Sequence, residues 1–405
     1  MKTHKSFFIF SLIISIFLSG CSPELDPVFD YNLKSAKVIE VNNDFGLELL
    51  KMVVENGDEP NLMISPASVS IALGMAYNGA ENTTMDAFEE VLNYDGLTRE
   101  EVNEITKELI HVLSTNVKGN LVEIANSLWY RKDFPVKQEF IDLNTNYYDA
   151  RVEELDFSKA DAIKTINNWV SDKTHGKIDQ IVQSIDPTTM MYLINALYFN
   201  CVWETEFDSK DTYDANFYTE LGRRYGTVDM MKLESTFNTL GVEGFSAAEL
   251  PYKNGKFSMY VFLPDEGNTV NELVADLNGE TWNNYLEQFS EATDFTIHMP
   301  RFEFDYKRSL KNDLAAMGLE LAFSDEADFS GISDIDLLIS EVMHKTYIKV
   351  NEEGTEAAAV TSISFGVTSA GPMNYLKLDR PFLFAITENS SKSILFMGKV
   401  SEPSY

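Results

Sequence analysis

The chain is poor in the residue types from which many enzymes and stapled scaffolds are built. Two cysteines among 405 residues, Cys21 and Cys201, cannot make a disulfide framework. Cys201 sits in an apolar run and reads as a small buried hydrophobe rather than a nucleophile. Histidine is nearly as scarce: the five are His4, His111, His175, His298 and His344. The sequence contains no G-x-S-x-G, H-E-x-x-H, paired C-x-x-C or Walker A motif, and no ligands at metal-binding spacing. No cofactor, metal or catalysis is expected. A Ser-His-Asp triad, whose members need not be adjacent, finds no support. Repeats, Pro-rich or Gly/Ser-rich linkers and charge blocks are also missing, which favours one domain despite the length.

Positive charge is the next shortage. Lys+Arg total 32 against 64 Asp+Glu, a formal net charge of −32. Such a surface repels nucleic acid, heparin-like polyanions and anionic headgroups. Its plainest reading is solubility. Long hydrophobic runs are lacking too. The stretch from Phe7 to Leu18 is too short to span a bilayer and, after Lys2, His4 and Lys5, has the form of a signal peptide. Residues 1–20 read as that signal. Leu18-Ser19-Gly20-Cys21 resembles the lipobox of bacterial lipoproteins, with an ordinary secretory signal as the alternative. That resemblance implies lipidation of Cys21, palmitate included, and a lipidated tether over residues 21–34. The expected location is a bacterial membrane, at the outer membrane or cell surface. Loss of Lys2 and Lys5 leaves 30 basic residues against 64 acidic ones, near −34.

What is present is 44% hydrophobic residues in a mixed pattern. Val38, Val41, Phe45, Leu49 and Met52 recur at helical spacing, a helix through Ile71, Leu73 and Met75 is expected after Pro66, and further helices are expected at 99–113, 138–148 and 160–174. Gly176 suits the end of the last one. A short apolar strand from Asn61, stopped by Pro66, is expected, with others at 121–130 and, almost continuously apolar, at 190–199. Asn254-Gly255 between apolar arms marks a hairpin. Alternation marks strands around Phe295–Met299 and Phe302–Tyr306, and residues 381–386 and 394–400 pair through a polar turn. A late helix is expected at 309–317. Helices first and strands later predict an α+β domain over residues 35–405.

One stretch stands out. After the strand ending at Val350 come Asn351-Glu352-Glu353-Gly354-Thr355-Glu356-Ala357-Ala358-Ala359-Val360-Thr361, opening a loop of about 27 residues to Leu378. A loop of that length in a compact domain is functional or disordered. Alternate positions Thr355, Ala357, Ala359, Thr361 and Ile363 face one side of an extended chain, and all but the last are small. It reads as a strand not yet in a sheet. Gly354 supplies backbone freedom, and no proline interrupts Glu352–Val367, so ladder hydrogen bonds can form. A flexible surface loop with accidental small residues is the plain alternative.

In order along the chain, Asn61–Leu92, Leu193–Glu204, Glu341–Thr361 and Asp379–Pro403 resemble the corresponding motifs of the serpins. The resemblance implies a single-domain fold with a large central mixed sheet, additional sheets, about eight to nine helices and an exposed reactive-centre loop at about 352–378. It also implies suicide inhibition of serine proteases, and sometimes cysteine proteases. The cleaved loop enters the sheet before the acyl-enzyme hydrolyses, a known case of strand addition. About 14 inserted residues at ~3.3 Å each would drag the enzyme on the order of 45 Å. Pulling the acyl group from its oxyanion hole forfeits roughly 3–4 kcal/mol per donor.

By the family's count from Gly354, the reactive bond is Thr368–Ser369, with Val367 and Ala370 as neighbours; counting back from Pro381 points to Ser369 or Ala370. No Lys, Arg or bulky aromatic lies there, which implies elastase-like or subtilisin-like targets, with papain-like enzymes as a further class. The hinge is Glu352 to Thr361, with Glu353, Glu356 and Val360 included. Ser65, Ser68, Asn195 and His344 match the family's shutter, with ordinary buried polar residues as the alternative. Trp203, Arg301 and Glu352 match its breach, where Arg301 stands for the more usual Lys. His344 is expected neutral and hydrogen-bonded, with pH sensing the other reading. The expected form is a monomer. A non-inhibitory binding or structural serpin, whose loop is merely cut, is the alternative function.

Overall fold

The computed structural model describes residues 32–356 and 374–405. Helices fill the first half: α1 (Leu33–Glu55), α2 (Pro66–Tyr77), α3 (Asn82–Val91), α4 (Arg99–Ser114), α5 (Gln138–Tyr148) and α6 (Ala160–Lys173). Three short ones punctuate the second half: α7 (Val270–Asp276), α8 (Gly279–Gln288) and α9 (Lys311–Leu314). The strands are β1 (Asn61–Ile64), β2 (Asn120–Arg131), β3 (Arg151–Leu155), β4 (Met191–Val202), β5 (Tyr213–Tyr218), β6 (Arg224–Val242), β7 (Phe245–Pro251) and β8 (Phe257–Pro264). After them come β9 (Ser290–Pro300), β10 (Phe302–Ser309), β11 (Met343–Val350), β12 (Gly354–Thr355), β13 (Tyr375–Lys377), β14 (Phe382–Glu388) and β15 (Ile394–Val400).

Among the described residues two mixed sheets result, so the fold is α+β. One has nine strands in the order β1-β15-β14-β8-β7-β6-β9-β13, with β5 on β6. The other has six, in the order β10-β11-β12-β4-β2-β3. The resemblance implied a large central mixed sheet with additional sheets, and more than one sheet is present. Among the described residues the strands outside the six-stranded sheet join into one continuous sheet, because β6 pairs with β7 at one end and with β5 and β9 along its length.

Local chemistry sets the ends of these elements. Asn32 opens α1 by accepting from the backbone N–H of Lys34 and Ser35, while Ser35 Oγ accepts from Asn32 N–H. Ser65 caps α2, and Pro66 fills its first position, where no N–H is needed. Gly176, at φ +78°, closes α6 by donating to Ser171 O at 2.7 Å. Asn254 and Gly255 both adopt left-handed backbone, as the β7–β8 turn requires. The expected late helix is shorter than its pattern suggested. Regular helix covers only Lys311–Leu314, a wide turn follows, and Gly318 at φ +119° breaks it before a short 3-10 turn at Glu320–Phe323.

Strands β14 and β15 are buried at every position, and Cys201 is fully buried against the nine-stranded sheet. Burial pushes its thiol well up, which suits a packing role. Among the described residues no helix is long and apolar enough to cross a membrane. The signal and Cys21 lie outside the described residues.

Candidate functional site

The six-stranded sheet carries a slot. Strand β11 pairs antiparallel with β10 from Phe302↔Val350 to Ser309↔Met343, and β4 pairs antiparallel with β2 from Asn120↔Cys201 to Tyr130↔Met191. Between β11 and β4, the rungs among the described residues belong to β12. They are Val350↔Thr355 on one side, and Gly354↔Val202 and Thr355↔Cys201 on the other. Strand β12 is antiparallel to both neighbours, so β4 and β11 run parallel to each other. A slot between parallel strands is filled antiparallel on both sides by a chain that reverses after β11. The chain reverses there.

The reversal is built by Asn351. Its Oδ1 accepts from Glu353 N–H at 3.1 Å and Gly354 N–H at 3.2 Å, and its own N–H donates to Gly354 O at 3.0 Å. Trp203 holds the turn from β4. Its Nε1 donates to Asn351 O at 2.9 Å, its N–H donates to Glu353 O at 2.8 Å, and its ring stacks on Tyr252 at 4.5 Å.

Gly354 serves a different purpose from the one its sequence suggested. Its backbone is not left-handed; a Cβ there would sit 2.1 Å from Cys201 O. Close approach to β4 is what requires glycine. Thr355 is 3% exposed, and its hydroxyl lies 2.6 Å from the buried Tyr252 hydroxyl. The stretch expected to stand outside any sheet therefore has its first two strand residues already inside one. Steric fit at Gly354 and the Tyr252 hydroxyl account for that.

Glu356 continues the insertion with a kink. Its N–H donates to Lys349 O at 2.7 Å, yet its φ is +60°, an uncommon value for a residue with a Cβ. Its carboxylate accepts from Lys177 Nζ at 3.0 Å and Tyr198 Oη at 3.2 Å. Burial raises the Glu356 carboxyl more than these partners lower it. Lys177 also lies over the Tyr347 ring at 4.8 Å, so β4, β11 and the segment after α6 converge on one hinge residue. The hinge residues Ala357, Ala358, Ala359, Val360 and Thr361, and the bond candidates Val367, Thr368, Ser369 and Ala370, lie outside the described residues.

At the top of the slot, Glu352 is 7% exposed and paired. Arg301 Nε donates to both carboxylate oxygens, at 3.0 and 2.9 Å, and its Nη2 to Oε1 at 2.5 Å. Burial would raise the Glu352 carboxyl, but Arg301 and then Thr212 outweigh it and hold it below its usual range. Arg301 also reaches Asp229 at 3.3 Å and lies 5.2 Å from the Tyr405 ring centre. The expected partners of the breach thus meet, through a fork that lysine lacks.

Deeper, the four shutter candidates form one chain of hydrogen bonds. Ser65 N–H donates to His344 Nε2 at 3.0 Å, Ser65 Oγ accepts from Ser68 N–H at 3.3 Å, and the Ser68 hydroxyl donates to Asn195 Oδ1. Asn195 then donates to Asn126 Oδ1 at 2.7 Å, and Asn126 to Tyr148 O at 2.7 Å. The chain links β11, α2, β4 and β2 across the sheet. Ser65 caps α2 as well, so its ordinary structural role also holds. Burial pushes His344 down to about 4, and because Nε2 accepts, the ring is neutral with its proton on Nδ1.

Sequence reasoning missed Asn126, Lys177, Tyr198, Tyr252 and Asn351. Asn351 had a signal, an Asn before Glu-Glu-Gly at a strand end. The others meet the hinge or the network from remote positions, and nothing local marks them.

A family model described as serpin (serine protease inhibitor) matches residues 40–403. An uncharacterized serpin-like protein of Methanosarcina acetivorans is 37% identical, over 99% of this chain and 97% of its own. Among solved structures, the thermophilic serpin tengpin in its native state superposes with TM-score 0.83 at 35% identity, covering 93% of this chain and 96% of its own. Human thyroxine-binding globulin complexed with thyroxine superposes with TM-score 0.83 at 28% identity, covering 92% and 100%. Serpins are generally protease inhibitors that act by inserting a loop into a sheet, rather than catalysts. A family match over residues 40–403, nearly all the described residues, makes this chain a member of the serpin family.

Proposed function

We propose that this serpin is a suicide-substrate inhibitor of serine proteases, and of papain-like cysteine proteases as a further class. Its reactive bond is Thr368–Ser369, its hinge is Glu352–Thr361, and its targets have small or apolar primary pockets, elastase-like or subtilisin-like. One observation carries the reading: Thr355 already pairs with Val350 of β11 and Cys201 of β4, and Gly354 with Val202 of β4, so the leading end of the hinge lies between the two strands. Each further residue can add ladder hydrogen bonds on both sides, individually worth roughly 0.5–1.5 kcal/mol. The inward position next to the sheet interior is a threonine that fits it, which supports insertion rather than a merely cleavable loop. The shutter network of Ser65, Ser68, Asn195 and His344 must part as the strand enters, and the Arg301–Glu352 pair fixes where entry begins.

The protein is further proposed to be an exported monomer held on a bacterial membrane by lipid on Cys21. The motif Leu18–Cys21 after a short apolar run supports this. Its excess of acid supports an inhibitor that needs neither nucleic acid nor a heparin-like cofactor.

Incubation with an elastase-like and a subtilisin-like protease, followed by denaturing electrophoresis, tests the reading. A covalent band at the summed mass is expected, and mass spectrometry of the released fragment should begin at Ser369. Clean cleavage without a complex would support the non-inhibitory alternative. Turnover of ester substrates would point to a hydrolase.

A further inference from the structure

Beside the C-terminal end of the reactive loop, the outer face of the nine-stranded sheet is aromatic and nearly neutral. Strand β13 runs parallel to β9, with Tyr375 opposite Thr296 and Lys377 opposite His298. On the other side of β9, Glu234 lies opposite Thr296 and Lys232 opposite His298. Two rows therefore cross one face, while Leu376 and Ile297 turn to the other and are buried. The charges on these rows offset one another: Glu234 stands two positions from Lys232 on the same face, and Lys377 is paired with Asp379 at 3.5 Å.

His298 is the keystone of this ledge. Tyr213, at the head of β5, has its hydroxyl 3.0 Å from His298 Nδ1 and its ring edge-on at 5.9 Å. Tyr375 packs edge-on against the same imidazole at 6.0 Å. Burial first, then Lys232 and Lys377, push His298 down to about 4, so the ring is uncharged at neutral pH. The two tyrosines are 39% and 45% exposed, among the most open large apolar side chains of the described residues. Rigid tyrosines of this kind give much contact area at little entropy cost.

The chain itself says what lies over this face. Tyr375 follows Ser369 by six residues, a reach of at most about 20 Å. A protease of some 230 residues has a radius of gyration of about 17 Å. An enzyme seated on the Thr368–Ser369 bond therefore overhangs the ledge. Resting on the proposed inhibitory function, we propose that Tyr213, His298 and Tyr375 form an accessory contact surface for the protease being trapped. The surface takes an uncharged rim loop, bearing an aliphatic or aromatic side chain, beside that enzyme's active-site cleft. It acts in the first encounter and not in the insertion that follows, because none of its residues belongs to the slot.

The test uses the full chain and a subtilisin-like protease whose nucleophile is replaced by alanine, so that binding is read without trapping. The double variant Tyr213→Ser/Tyr375→Ser should bind this inactive enzyme about tenfold more weakly, equivalent to about 1.4 kcal/mol. The loss should persist at high salt, since the contact is not ionic. Tyr375→Phe should retain wild-type affinity. With active protease, the association rate should fall while the ratio of complex to cleaved chain stays unchanged. Equal affinity of wild type and double variant, or no binding by either, overturns the proposal. A wild type that binds the inactive enzyme but forms no covalent complex with the active one leaves the ledge standing and sinks the trap.

Discussion

Strands β14 and β11 are both interior strands of their sheets, yet they are finished to different degrees. Strand β14 pairs with β8 on one side and β15 on the other along most of its length, and every residue in it is buried. Strand β11 has a full partner in β10, but among the described residues its other side carries one rung, Val350↔Thr355. Among the described residues the first strand is paired on both sides, while the second is joined to β4 only through the two residues of β12. On the proposed function, the hinge is the leading end of a strand that completes this side after cleavage.

The comparison breaks most completely if the leading end cannot enter. Thr355→Arg puts a cation against the buried Tyr252 hydroxyl, so it should turn inhibitor into substrate. The ratio of covalent complex to cleaved chain measures this; trapping at unchanged stoichiometry would falsify the hinge assignment.

Acid is expected to loosen the β11 side next. His344 has a folded-state pKa of about 4 against 6.5 unfolded, so the unfolded chain takes up the proton first as pH falls. Its contribution is present above about pH 6.5 and lost on descent to about pH 4, by roughly 3 kcal/mol. Denaturant midpoints across that window should fall, and His344→Gln should weaken the dependence, leaving the part due to His298.

Arg301→Gln leaves the Glu352 carboxylate buried without its charged partner, with Thr212 still donating to it. A loss of roughly 2–3 kcal/mol is expected, discounted because Arg301 is partly exposed, with Arg301→Lys recovering part. Gly354→Ala drives a methyl into Cys201 O and should cost roughly 1–2 kcal/mol, read as a lower melting temperature of the intact chain. The smallest effect belongs to Lys177→Gln. Losing its contact with Glu356 should change stability by under about 1 kcal/mol, since the lysine is about one-third exposed, while leaving β14 untouched by hydrogen exchange.

Much of this was legible in the residues. The apolar run at 190–199, the Asn254-Gly255 turn and the Pro66 helix start each rest on local rules, and each element stands where those rules put it. The pairing of Glu352 with Arg301, 51 positions apart, came only through the resemblance to a family. The role of Gly354 was misread, because a sequence shows that glycine is permissive but not that a carbonyl lies 2.1 Å from its missing Cβ. Tyr252 and Lys177 were illegible for the same reason. They reach the hinge from 103 and 179 positions away, and no pattern near them says so.

The amino-acid order alone determined many of the helices and strands, though not β3, β5, β6, α7 or α8, and that a plain ribbon of small side chains follows β11, because these depend on neighbours along the chain. Only the folded arrangement decided that β4 and β11 lie parallel with the ribbon's first two residues between them, and that His298 gathers two tyrosines around its ring. Those depend on distances between residues far apart in the chain, which packing alone sets.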